Sequence, residues 1–271
     1  MSQKPWMVAI LTNDGAVPNF QSVIETMRRT PGYATVDFEW VSEDADKYVF
    51  RTKYATFAVS LTPPQTDAER NIVPLSVLQS ASRKAWHWAE AAFAVQGAKR
   101  QILALVLPEE NELDSLDVAL LLTCFASAVV KNVDAKAVFW SHASMLHEPN
   151  AFLEHAKELN RRAFPVELWV DFGILPNADK TISFGTYGLH AFGLEELEVV
   201  HSRREPKWVL HWLFNLAHFM IENGPIMEDE HTFGASQSEK FIVSVTDSSP
   251  EFMRKEGERV LKIEFSEQEN Q

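Results

Sequence analysis

Residues Gln101–Leu107 read QILALVL, an almost unbroken apolar run. A strand with one wet face alternates polar and apolar side chains; a strand covered on both faces need not. This run is therefore expected at the centre of a sheet with layers on both sides. Pro108 and the acids after it break the run, and Asp114–Val130 follows as a strongly apolar helix able to supply one layer. The chain has 271 residues, 46% of them hydrophobic, which is enough to bury such a core in one or two domains.

Around this centre the sequence divides into three regions. In residues 1–74, Trp6–Leu11 reads as a buried strand, and Phe20, Val23, Ile24 and Met27 mark one face of a helix. Pro31 and Gly32 end that helix. Tyr33–Val41 alternates as a half-buried strand, Tyr48–Phe50 and Ala55–Leu61 follow, and Pro63-Pro64 stops the chain. The order β-α-β-β-β points to an antiparallel or mixed sheet. In residues 75–165, Ser82–Val95 is expected as a helix with an apolar stripe of Trp86, Trp88, Ala89 and Phe93. The central strand, the apolar helix, a strand at Lys136–Trp140 and a helix at Asn150–Arg162 come next, an alternation that allows parallel pairing. In residues 166–265, Val166–Leu175 reads as one strand. Pro206–Asn223 is the clearest helix, with proline near its start and Gly224 just past its end. Phe241–Val245 and Val260–Phe265 are the last strands, and 266–271 is expected as a disordered tail. No linker separates the regions, so they can pack as one continuous unit. The expected class is α/β (α+β), a mixed β-sheet with helices packed on its faces.

The chain carries 25 basic and 38 acidic side chains, net −13. Such a surface repels phosphate backbones and anionic lipid, so neither nucleic acid nor membrane is expected as a partner. It suits a basic protein. The single cysteine, Cys124, excludes an internal disulfide and lies within the apolar helix, where a thiol acts as a small hydrophobe. The N-terminal apolar stretch is too short for a secretory signal, so a cytoplasmic location is expected.

The stretch Thr186–Val199, TYGLHAFGLEELEV, sits between a strand-like run and the long helix. Its glycines, with Gly185, permit positive φ or close backbone approach. A phosphate cradle would open directly onto a helix N-terminus, usually with Lys or Ser/Thr; here Leu194-Glu195-Glu196 follows, so the glycines read as structural turns. Together with Glu222–Ile226 and His231–Gly234, this stretch resembles the bacterial domain-of-unknown-function 4261 family. Trp86-His87-Trp88 and Ala137–His142 resemble the preceding region of its longer members. The resemblance implies a soluble bacterial protein, some members being similar to components of interbacterial toxin systems. It brings no catalytic residues and no cofactor.

Two histidine groups are the candidates for chemistry. His211, Asn215, His218 and Glu222 lie on one face of the long helix. An enzyme would use His211, His218 and Glu222 for metal or acid–base work. The two histidines are two turns apart, about 10.5 Å along the axis, too far to share one metal at ~2.1 Å bonds. His142, His147 and His155 form a looser group without the carboxylate or thiol spacing of a known motif. Acids near the long helix, Glu195, Glu196, Glu228, Asp229 and Glu230, are the expected partner-binding residues. A binding role is thereby favoured over an enzymatic one: an immunity protein that occludes the active site of a toxin domain. A hydrolase built on the helix histidines and an adaptor subunit of a larger bacterial assembly are the alternatives.

Overall fold

In the computed structural model, residues 5–13, 18–34, 36–44, 46–62, 73–109, 113–227, 229, 232–234 and 240–265 are described. They fall into two units, Met1–Trp169 and Val170–Gln271. The expected stop at Pro63-Pro64 and the tail 266–271 lie outside the described residues.

The first unit begins with β1 (Trp6–Thr12) and α1 (Phe20–Arg28), followed by the meander β2 (Glu39–Asp44), β3 (Lys47–Arg51) and β4 (Ala55–Thr62). Two short helices, α2 (Leu75–Lys84) and α3 (Ala91–Gly97), lead into β5 (Arg100–Pro108). Then come α4 (Ser115–Asn132), β6 (Ala135–Trp140), β7 (Met145–His147), α5 (Pro149–His155) and α6 (Val166–Trp169). The strand order is β2-β3-β4-β5-β1-β6-β7, with every neighbouring pair antiparallel. The parallel pairing that residues 75–165 allowed is absent from this sheet. β5 and β6 do run the same way, joined by α4, but β1 occupies the slot between them and pairs antiparallel with both.

As the apolar run required, both faces of the sheet are covered. Ala9, Leu11 and Leu103 pack with Leu78, Ala81, Val95 and Ala98 on the α2–α3 side. On the α4 side, Phe50, Phe57 and Phe125 stack with ring centroids 5.3–5.8 Å apart. The Asp114 carboxylate caps α4 by accepting the Asp117 N–H at 2.9 Å. α4 is apolar and long enough to cross a membrane, yet most of it is buried inside the protein, as a core helix is. Cys124 is buried there, and desolvation pushes its thiol up to about 12.

Further expectations are corrected. The strand expected over Tyr33–Val41 begins only at Glu39, as β2, and the helix expected over Asn150–Arg162 ends at His155, as α5. The helix expected over Ser82–Val95 is broken: α2 stops at Lys84, and α3 restarts at Ala91. Small residues at Ala81, Ala85, Ala91 and Ala98 seat these helices on the sheet, so Trp86 and Phe93 point outward, 75% and 73% exposed. The strand expected over Val166–Leu175 is a helical turn followed by a strand. Pro165 fixes φ, and its carbonyl accepts the Leu168 N–H at 3.0 Å, closing the turn before the chain extends.

The second unit contains β8 (Asp171–Pro176), β9 (Ile182–Tyr187), β10 (Glu196–Ser202), α7 (Pro206–Asn223), β11 (Thr232–Gly234), β12 (Lys240–Asp247) and β13 (Arg259–Phe265). Its sheet runs β11-β12-β13-β10-β9-β8, with β10 and β13 parallel and the other pairs antiparallel. α7 has the expected punctuation. Pro206 fills its first turn, Glu205 caps the Trp208 N–H at 2.8 Å, and Gly224 adopts φ +83° just past its end. Val209, Leu213, Leu216, Ala217 and Met220 form its buried face. The protein is α+β, with one antiparallel sheet, one mixed sheet and helices on their faces.

Candidate functional site

Strand alternation puts Glu196 and Glu198 on one face of β10 and Leu197 and Val199 on the other. Glutamates at such positions normally face water. Here both are buried, Glu196 to 2% and Glu198 to 0%. Burying a carboxylate is tolerable only if its oxygens are fully hydrogen-bonded, and each glutamate meets that condition with a separate segment.

Glu196 holds the turn after β9. Its carboxylate accepts the Thr186 hydroxyl at 2.8 Å, the Gly188 N–H at 2.8 Å and the His190 N–H at 3.1 Å. His190 Nδ1 is 2.8 Å away and must carry a proton to donate. Gly188 and Gly193, at φ +133° and +75°, let the chain enter and leave the 3-10 turn Leu189–Phe192. Burial pushes the Glu196 pKa up, but the bonds from His190, Gly188 and Thr186 outweigh it and hold the pKa below the usual 4.5. Because the folded value is the lower one, the stabilisation is complete above the unfolded value and disappears as pH falls through the folded value. Glu196→Gln should therefore destabilise the protein at neutral pH, with the gap to wild type closing as pH falls below the ordinary glutamate value and through the lower folded one. Denaturant melts across pH measure that gap.

Glu198 holds the segment before β13. It accepts the Ser248 hydroxyl at 2.5 Å, the Ser249 N–H at 2.9 Å and the Arg254 Nε–H at 2.9 Å. Arg254, almost fully buried, also donates to the Thr186 carbonyl at 2.5 Å and approaches Glu258 at 3.5 Å. Glu251 accepts the Ser183 hydroxyl at 2.6 Å. Phe252 lies on Gly185, where a Cβ would meet the ring at 2.6 Å, so only glycine fits beneath it. Ser248, Ser249, Glu251, Phe252 and Arg254 are thus all anchored to β9 or β10. Met253, between two of them, is 91% exposed and left-handed at φ +49°. Tyr187 lies on the same face of β9 as Gly185, half exposed, with its ring 5.1 Å from that of His190. Its hydroxyl pKa is raised by burial and by the Glu196 charge.

This arrangement has little chemical capacity of its own. The glutamate oxygens are saturated by donors, so neither carboxylate is free to act as a base. What it does is fix two backbone segments: the turn that sets His190 beside Tyr187, and the segment that carries the exposed Met253.

The residues expected from the sequence fall differently. Glu196 is not a surface acid for a partner; the turn and the Thr186 hydroxyl cover it and use all its acceptor capacity. Glu195 is partly buried. Asp229 is exposed and accepts the Val245 N–H at 2.9 Å, whereas Glu228 and Glu230 lie outside the described residues. His211, His218 and Glu222 share one side of α7, with His211 and Glu222 exposed. Asn215 donates to His211 Nε2 at 3.0 Å. Among the described residues, no three or more His, Cys, Asp or Glu group closely enough to hold a metal ion. The second histidine group is dispersed within the first unit. His142 packs on Trp6 and His155 pairs with Glu167. Burial pushes His147 down to about 3, with its Nε2 3.2 Å from the Leu168 carbonyl. Sequence reasoning missed Glu198, Arg254, Phe252 and Met253. The alternation Glu196-Leu197-Glu198-Val199 was the one available signal.

The protein is thus an α+β chain whose second unit uses two buried glutamates to brace the turn after β9 and the segment before β13. Residues 185–264 match the family described as Domain of unknown function (DUF4261), so the second unit carries a DUF4261 domain. The match spans Gly185, Tyr187, His190, both glutamates, Met253 and Arg254. No curated protein and no solved structure matches the chain.

Proposed function

We propose that this chain is a protein-binding protein, and specifically an immunity-type protein that neutralises a toxin domain by occluding its active site. The observation that carries the binding role is Met253: an apolar side chain, almost wholly exposed, on a left-handed residue between the anchored Phe252 and Arg254. Its anchored neighbours hold the backbone, so association orders only the side-chain rotamers. Tyrosine and methionine are enriched at interface centres, and Tyr187 stands on the same side of the sheet. Charge supports a basic partner. The second unit has 9 basic and 18 acidic side chains, net −9, against 16 and 20, net −4, in the first. An acidic surface steers such a partner toward contact, and a typical interface would bury about 1,600 Å².

The test is affinity isolation of the tagged protein, followed by titration of the isolated partner's activity. One stoichiometric partner should lose its activity on binding. Met253→Asp should weaken binding about thirtyfold, as expected for a hot-spot residue, while leaving the melting temperature unchanged. Full inhibition by Met253→Asp, or a partner whose activity is unaffected, would overturn the reading.

A further inference from the structure

The net charge of −13 conceals a local reversal. Residues 75–100, which cover α2, the connecting turn and α3, contain Arg83, Lys84, Lys99 and Arg100 against a single acid, Glu90. None of these four cations has an ion-pair partner among the described residues. The same segment carries the most exposed tryptophan and phenylalanine of the first unit, Trp86 and Phe93, and its Leu75 and Val77 are exposed as well. Leu78, Ala81, Ala91 and Val95 face the sheet. The outward side therefore combines the aromatic tips with Arg83 and Lys84 at the end of α2, while Lys99 follows α3 and Arg100 opens β5.

We propose that the α2–α3 face docks on an anionic phospholipid surface, independently of the binding surface of the second unit. Trp and Phe favour the headgroup–acyl boundary, and flanking Lys and Arg meet the lipid phosphates. Exposed aromatics on helical segments with lysines beside them have the composition of an interfacial anchor. At physiological salt, charges more than about 8 Å away are largely screened, so Arg83 and Lys84 beside Trp86 count for more at contact than the whole-chain −13.

The experiment is flotation of the full chain with vesicles of phosphatidylcholine containing about one-third phosphatidylglycerol, compared with phosphatidylcholine alone. The protein should float with the anionic vesicles only. Arg83→Glu/Lys84→Glu should weaken this about tenfold or more, and Trp86→Ser/Phe93→Ser should weaken it comparably. Both double variants change exposed side chains and should keep the wild-type melting temperature. Free glycerol phosphate should not displace the protein; displacement would indicate a phosphate site and overturn the lipid reading. So would an absence of flotation with anionic vesicles, or equal flotation by wild type and both variants.

Discussion

Glu198→Ala should lower stability by about 3–5 kcal/mol, read as an earlier denaturant or thermal transition. The substitution leaves the Arg254 guanidinium buried without its carboxylate and removes the acceptor for Ser248 and Ser249. The loss therefore exceeds the net worth of the ion pair itself. Glu198→Gln keeps the shape and one acceptor oxygen and should cost less. A loss under 1 kcal/mol for Glu198→Ala would mean that the segment before β13 is not held by this glutamate.

Phe125→Ala should cost a similar amount, about 3–5 kcal/mol, by a different mechanism. Phe125 is fully buried on α4 and meets Phe50 and Phe57 across the sheet. Its removal leaves a cavity between two rings that are themselves tightly packed, and cores relax only partly into such a gap. Phe125→Leu fills more of the volume and should recover much of the loss. Calorimetry or urea titration of the two variants decides the point.

The elements legible in the sequence were those whose cause is local. α7 is marked by Pro206 and Gly224, and β5 and α4 by runs that only a doubly covered core accepts. The glycines between β9 and β10 were read as turns, and Gly188, Gly193 and Gly185 serve as turns and as a close approach. What was not legible depends on distant partners. A glutamate on a strand reads the same whether its face is wet or covered, and Glu198 is covered by residues 50 to 56 positions later. Trp86 and Phe93 belong to the apolar stripe of the expected helix, and large aromatics usually are buried. The alanines around them make the contact with the sheet instead. Pro165 was the overlooked local signal that separates α6 from β8.

The place of β1 in its sheet has a consequence for how the chain reaches its native state. β1 pairs with β5 and β6, which follow it in the chain by roughly 90 and 130 residues. Until those strands emerge from the ribosome, the Trp6–Thr12 backbone has neither of its ladders, and its apolar side chains have no cover. Closing loops of this length precedes most of the stabilising contacts, which makes such topologies slow to fold and leaves the early chain prone to association. Folding of the first unit is therefore set by the arrival of residues 100–140, whatever the meander between β2 and β4 has formed by then.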